Sequence, residues 1–476
     1  MYKAILYICI SCSIANGAIA QDKWDLKKCV DYALANNISI KQTEIQSSIA
    51  ALQVAQSKQN LYPTLNFNGG PGFNNGRNQD PTTFSLITQS FVSASMQLQT
   101  SAQIFNWYSR KNTILANEWQ LQANKASTDK LKNDIALVVA NNYLQILLAQ
   151  EQQNIANIQV TQTLAQLGNT RKLVNAGALP ELNAAELEAQ LARDSSSFIT
   201  AKGNTEQAIL QLKANMNLDA ATPFDVAIPP IDKIPVDAIA DLQPDAVYAL
   251  AIVNLPQQRV NSFNLKAAQK NAQVAKAALY PTVSAFGSLS SSFNSRATEI
   301  TGIQYINAPI GKVNVSGVDY AVFPNQPLSN YTTAKTGFFK QGNDNFRQAI
   351  GLSIGIPILN GGFSKFNYGR SKLNIKSVEL QQLADNLKIK QDIYQAYNAA
   401  TVALQKFNAS KKSVETAQRS FDFATKRYDV GMLGTFELIT NQNNLFRAKL
   451  EYSLNQFDYV FKMKVLEFYK GQGLKL

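Results

Sequence analysis

Three kinds of residue in this chain could do chemistry, and each is best judged by the partners it has. Gly351-Leu352-Ser353-Ile354-Gly355 reads G-x-S-x-G, the form of a nucleophile elbow in which a serine on a sharp strand-to-helix turn attacks with a histidine as base. The chain contains no histidine, so the commonest general base and the commonest metal ligand are both missing. Ser353 stands in strict alternation with apolar residues, as in the middle of a strand, and small side chains on one strand face account for the match. Gly69-Gly70-Pro71-Gly72 and Gly361-Gly362 have the glycine density of phosphate loops. Neither leads into the Gly-Lys-Ser/Thr ending that holds nucleotide phosphates, so they read as a loop and a strand-to-helix bend. Hydrolases and zinc enzymes are thereby disfavoured, and no enzyme activity, cofactor or metal is expected.

The elements that would position any site begin with the amino terminus. Met1 to Ala20 carries Lys3, an apolar stretch from Ala4 to Ile14 and the small-residue ending Ala18-Ile19-Ala20, which reads as a secretory signal peptide over residues 1–20. Its removal takes Cys9 and Cys12 and leaves Cys29 alone, so no intrachain disulfide is expected. Acylation at Cys12 is disfavoured because Cys9-Ile10-Ser11 lacks an aliphatic residue three positions upstream. Past the signal there is no run of 18 apolar residues, so any membrane span must be a β-barrel. The formal net charge of +12 is spread among acidic residues along helical segments, which reads as solvated helix faces and not as a nucleic-acid surface.

An internal duplication organises the rest. Tyr32-Ala33-Leu34-Ala35 recurs as Tyr248-Ala249-Leu250-Ala251, and Leu61-Tyr62-Pro63-Thr64 recurs 218 positions on as Leu279-Tyr280-Pro281-Thr282. From Ile104-Phe105-Asn106 and Ile358-Leu359-Asn360 onward the offset is 254, which also pairs Tyr143 with Tyr397 and Gly177 with Gly431. The second half therefore holds 36 more residues (254 less 218), expected as a long polar loop over about 291–345. The expected division is a first structural repeat over 21–240 and a second over 241–476. Each repeats one order: short helix, longer helix, strand, loop, strand, very long helix, tight turn, long helix.

Strands show by alternation. Between Phe346 and Ile358, Ile350, Leu352, Ile354 and Ile356 fall on one face, while Ala349, Gly351, Ser353 and Gly355 fall on the other. Period two with a small or polar opposite face fits a barrel strand between lipid and lumen, so these four isoleucines and leucines are expected on the lipid side. Val92, Ala94, Met96 and Leu98 repeat the pattern more weakly, and strands starting at Pro63 and Pro281 are placed by symmetry. Phe67, Phe91, Phe105, Trp107, Phe286 and Phe346 are candidates for an interfacial aromatic belt, with ordinary packing as the alternative.

The next helices run proline-free from about Tyr108 to Asn175 and Phe363 to Asp429, and 68 residues at 1.5 Å each reach roughly 100 Å. Leu131, Ile135, Val138, Tyr143, Ile146 and Leu147 recur at spacings of three and four, one stripe that packs while the rest stays wet. Both helices stop at glycine, in Asn175-Ala176-Gly177-Ala178-Leu179-Pro180 and Asp429-Val430-Gly431-Met432-Leu433-Gly434, the punctuation of a helical hairpin. Four strands cannot close a barrel, and an open edge of unpaired backbone cannot survive in hydrocarbon, so several copies must pool their strands.

Taken together, the duplication, the Leu-Tyr-Pro-Thr strand entries, the junctions Ile104-Phe105-Asn106-Trp107 and Pro357-Ile358-Leu359-Asn360-Gly361-Gly362, and the turns at Gly177 and Gly431 resemble the TolC family of outer-membrane factors over nearly the whole mature chain. The resemblance implies an α+β membrane protein of the bacterial outer membrane: a homotrimer with a β-barrel of four strands per protomer, set in outer-membrane lipid. A long antiparallel α-helical barrel would continue it into the periplasm, with a tip closed at rest. It also implies opening against a periplasmic adaptor (membrane fusion) protein and an inner-membrane pump of RND or ABC type.

The family gate has a tyrosine three residues before the second hairpin glycine and acids six and nine after it, which fall here on Tyr428, Glu437 and Thr440. Thr440 departs from the pattern, as do Leu433 at the basic position and Asn183 at the first-repeat aspartate position. Without a salt-bridged latch, the tip is expected to be held by packing and neutral hydrogen bonds. Glu437 is also explained by a first-turn carboxylate meeting the helix dipole, although three copies near an axis would form a selectivity ring. The turns Gly177, Ala178, Leu179, Pro180 and Gly431, Met432, Leu433, Gly434 are expected to dock the adaptor, with plain turn chemistry as the alternative. The expected function is a passive exit duct for small molecules in a tripartite efflux system. Its rivals are the exit duct of type I polypeptide secretion and a non-channel coiled-coil scaffold at the surface.

Overall fold

Apolar stripes of period 3.6 and period 2 alternate along the chain, and the elements follow them. The computed structural model describes residues 23–79, 84–227 and 235–471; the signal peptide expected over 1–20 lies outside the described residues. Helices α1 (Leu26–Asn36) and α2 (Ile38–Gln59) lead into strands β1 (Thr64–Gln79) and β2 (Leu86–Phe105), then α3 (Ser109–Asn175) and α4 (Glu181–Met216). After a 3-10 turn, α5 (Pro244–Asn254), α6 (Pro256–Ala277), β3 (Thr282–Asn294), β8 (Arg347–Gly355), α8 (Phe363–Asp429) and α9 (Thr435–Phe468) follow in the same order. No described helix is long and apolar enough to cross a membrane.

The stretch expected as a loop over 291–345 is not one. It begins with the end of β3 and contains β4 (Thr298–Ile306), β5 (Gly311–Val315), β6 (Val318–Val322), β7 (Leu328–Lys335) and a short helix α7 (Phe338–Asp344). β4 pairs with β7 and β5 with β6, both antiparallel. The Asn, Gly and Ser content of the stretch hid alternating β-formers: Val313, Val315, Val318 and Tyr320 share one face of the inner hairpin. Buried Gln341 of α7 bonds Asn294 of β3 through both amide atoms, donating to its carbonyl and accepting from its N–H.

Two compact units form. One takes residues through Gln53, Ala116–Ala268 and Leu373 onward; the other takes Val54–Leu115 and Gln269–Lys372. Within the helical unit, Asp25 caps α1 by accepting from the Lys28 N–H at 2.7 Å. Tyr143 of α3 is buried among Cys29, Leu147, Leu212, Met216 and Phe457, and its hydroxyl donates to the Ala227 carbonyl. Burial pushes the Cys29 thiol up to about 12. A second cluster gathers Leu242, Val247, Ala251, Ile393, Met463 and Leu466, with Tyr397 packed against it. Fully burying each large apolar side chain contributes about 1.5–3 kcal/mol.

In the other unit, β1, β2, β3 and β8 pair in that order as one antiparallel sheet with β1 and β8 at the edges. β8 ends at Gly355, so Ile356 stands just past the strand on which it was expected. Pro357, which has no N–H to give a ladder, follows directly.

Candidate functional site

The sheet's register sorts its side chains into two chemically distinct faces. Residues directly opposite in antiparallel strands share a face, and successive residues alternate. One face carries Leu65, Phe67 and Phe73 of β1, Val92, Met96 and Leu98 of β2, Val283 and Leu289 of β3, and Ile350, Leu352 and Ile354 of β8. The other carries Asn66 and Asn68, Ser95, Gln97 and Gln99, Ser284, Ser288 and Ser290, and Gly351 and Ser353. The apolar face is bare, with Ile350 92% exposed and Leu352 68%.

Ser353 pairs with Ser284 on the polar face, mid-strand, which is no place for a nucleophile elbow. The aromatic residues do not form a single belt. Phe67 lies on the apolar face, while Phe91, opposite Asn74, and Phe286, opposite Gly351, lie on the polar one. Phe286 lies so close to Gly351 that a Cβ there would sit 2.8 Å from its ring, so a larger residue at that position would have to displace the ring.

The helical hairpin ends share one backbone solution. At the first, Ala178 N–H donates to the Leu173 carbonyl and Gly177 N–H to the Val174 carbonyl, with Gly177 at φ +74°. At the second, Met432 donates to Arg427 and Gly431 to Tyr428, with Gly431 at φ +75°. This is the Schellman closure, which needs a left-handed residue and favours glycine there. Pro180 and Gly434 then precede α4 and α9 without any side-chain cap.

Of the residues expected at a gate, Tyr428 is half-buried, and its hydroxyl lies 3.0 Å from that of buried Thr170 on α3. Glu437 is exposed in the first turn of α9, and Thr440 donates back to the Phe436 carbonyl at 2.8 Å within its own helix. Asn183 is half-buried, its backbone N–H on the Pro180 carbonyl. Tyr428 is thus joined to the first hairpin, whereas no hydrogen bond or ion pair brings Glu437, Thr440 and Asn183 together. Beneath the turns, Leu167, Ala184, Leu187 and Ile439 pack as a buried layer joining α3, α4 and α9. The ends themselves leave Leu182, Val430, Met432 and Phe436 exposed, and Leu179 and Leu433 half-buried. An ion pair that the sequence reading missed, Arg171 to Glu188, crosses from α3 to α4. Its signal was two oppositely charged residues flanking the turn, Arg171 before Gly177 and Glu188 after it.

Comparison with known proteins places this arrangement. The chain superposes on the crystal structure of CusC with a TM-score of 0.75 at 16% identity, covering 95% of this chain and 93% of that one. It matches the open state of the Neisseria gonorrhoeae MtrE outer membrane channel with a TM-score of 0.70 at 19% identity, covering 94% and 89%. The fold is therefore that of the TolC-family channels. In sequence the chain is 20% identical over 466 residues to Outer membrane protein TolC of Escherichia coli (strain K12), covering 96% of this chain and 84% of TolC. The family model of the outer membrane efflux proteins matches residues 29–218 and again 247–463. The chain belongs to the outer membrane efflux protein family, and it is a transport protein of the outer membrane.

Proposed function

We propose that the protein is the passive outer-membrane duct of a tripartite efflux system for small molecules. Three copies pool their four-stranded sheets into one barrel, and the long helices line a periplasmic tunnel. The carrying observation is the two-faced sheet: an apolar face exposed as far as Ile350 and Leu352, a face of Ser, Asn and Gln behind it, and two unpaired edges. In water that face is a liability; in a closed barrel it meets lipid and the polar face meets solute. The recurrence of the element order and the two separate family matches support an internal duplication, with repeats over 21–240 and 241–476.

In this reading the hairpin ends are the gate and the docking surface. Tyr428 holds the second hairpin to the first through Thr170, Glu437 supplies one acidic ring facing cations, and Thr440 and Asn183 keep the tip free of a charged latch. Gly177 to Pro180 and Gly431 to Gly434, with the exposed apolar side chains beside them, meet the periplasmic adaptor. Energy comes from the inner-membrane pump, since the duct has no catalytic work to do.

The test is single-cysteine labelling along β8 in proteoliposomes with a membrane-impermeant maleimide, for which buried Cys29 is a silent background. Ala349 and Ser353 positions should label and Ile350, Leu352 and Ile354 positions should not. Labelling without a two-residue period would sink the barrel reading.

A further inference from the structure

Beyond the gate residues expected from the family pattern, the helical unit contains a buried polar cluster. Asp194 of α4 is 3% exposed, and no ion pair reaches its carboxylate among the described residues. It is held instead by three neutral donors: Thr163 Oγ1 at 2.7 Å, Gln190 Nε2 at 2.7 Å and Gln159 Nε2 at 2.9 Å. The Arg193 guanidinium donates to Gln190 Oε1 at 2.8 Å, which turns the amide nitrogen of Gln190 toward Asp194. Positive charge thus reaches the carboxylate through one polarised amide.

The same groups reach the second hairpin. Gln159 Nε2 also donates to Asn443 Oδ1 of α9 at 3.1 Å, Gln190 Nε2 does so at 3.4 Å, and Gln442 Nε2 donates to Thr163 Oγ1 at 3.4 Å. Stability alone does not explain the cluster. A buried carboxylate loses its hydration, and well-packed apolar residues of similar volume are commonly as stable or more so. Gln442 Oε1 is buried with no partner among the described residues, which adds to the cost. What such a layer supplies in packed helices is register, because only one relative setting satisfies its donors and acceptors.

We propose that Asp194 is a positioning residue for gating: it orients Thr163, Gln159 and Gln190 so that α9 is held against α3 and α4 in the resting register. This inference rests on the duct reading. The apolar layer of Leu167, Leu187 and Ile439 lies between this lock and the hairpin ends in all three helices. Rotation of α9 must therefore break the polar contacts as well as the apolar ones. Replacing Asp194 by asparagine removes the charge and one acceptor: the two glutamine amides are left to share a neutral carbonyl oxygen, and the Thr163 hydroxyl, which donates to the carboxylate, faces an N–H instead.

The test is single-channel recording of the full-length protein in planar bilayers, comparing Asp194→Asn, Asn443→Ala and the exchange Asp194→Asn with Asn443→Asp. Asp194→Asn should raise resting open probability about ten-fold, the factor corresponding to one lost hydrogen bond to a charged group, and Asn443→Ala about three-fold, because its bonds to the glutamine amides are neutral. The exchange should return it toward the parent value, because one carboxylate again serves the same amides; a merely structural role would leave the double variant at least as impaired. Asn443→Ala tests the lock at a half-buried position should Asp194→Asn not assemble. Parent channels whose gating is unchanged by either variant, or an exchange that adds the two defects, would overturn the lock and leave the duct standing. A parent protein that conducts nothing would remove both.

Discussion

The two runs of elements turn their corners with the same backbone and different side chains, and the difference separates a pinned half from a looser one. Where β8 gives way to α8, Gly361 and Gly362 take φ +62° and +77°. The equivalent positions before α3 are Trp107 and Tyr108, at φ +52° and +62°, a conformation that costs an L-residue about 1–2 kcal/mol. That cost is offset by packing. The Trp107 indole donates to the Pro281 carbonyl at 2.8 Å, and its ring packs against Tyr280 at a 35° tilt with centroids 4.7 Å apart. The hairpin ends repeat the contrast: Arg171 and Glu188 clamp α3 to α4, while no ion pair among the described residues joins α8 to α9. Symmetric backbone thus carries an asymmetric distribution of restraint: the first corner is packed by aromatic rings and the first hairpin bridged by an ion pair, whereas α8 and α9 meet through the Phe407, Tyr452 and Tyr459 rings.

The largest expected effect breaks the pinned corner. Trp107→Ala loses the ring contacts and keeps the strain, and should lower stability by about 2–3 kcal/mol in thermal melts. Trp107→Gly should be milder by about 1 kcal/mol, reversing the usual order, because glycine is at ease at positive φ. Next, Gly177→Ala and Gly431→Ala should each cost about 1–2 kcal/mol and agree with one another, since the two closures are equal; unequal costs would mean that the backbones differ. Tyr428→Phe removes one hydroxyl contact, worth about 0.5–1.5 kcal/mol, and should raise the channel's open probability without altering its assembled mass.

The smallest effect belongs to Arg171→Gln. The pair is exposed and screened, so loosening of the first hairpin should show in hydrogen exchange at low salt and vanish at high salt. A separate check uses the buried thiol. Between about pH 9 and about 12 the unfolded chain releases the Cys29 proton that the folded chain keeps, so stability should fall as pH rises through that window. Maleimide should reach Cys29 only in denaturant.

What the sequence disclosed and what it withheld follow from the range of the interactions. Strands, long helices and both glycine closures were legible because each depends on local rules: alternation around Ile350 to Ile354, a proline-free stripe through Tyr143, glycine at Gly177 and Gly431. The hairpins of β4 to β7 were obscured because polar residues dilute β-formers there and their apolar face is exposed. The cluster at Asp194 was hidden because its partners stand at positions 159, 163, 190, 442 and 443, and an aspartate in a helix reads locally as a wet one. Thr163 and Thr170, spaced with Leu167 and Val174 on one stripe of α3, were the available sign. A stripe scored only for apolar residues passes over them.

The central claim is that copies of this chain assemble into a conducting, normally closed duct. Its most direct test is single-channel conductance of the detergent-purified protein in a planar bilayer, with the mass of the same sample measured by light scattering. A trimer giving small, cation-selective, mostly closed events is the expected result. A monomer, or a trimer that leaves the bilayer silent, would contradict it.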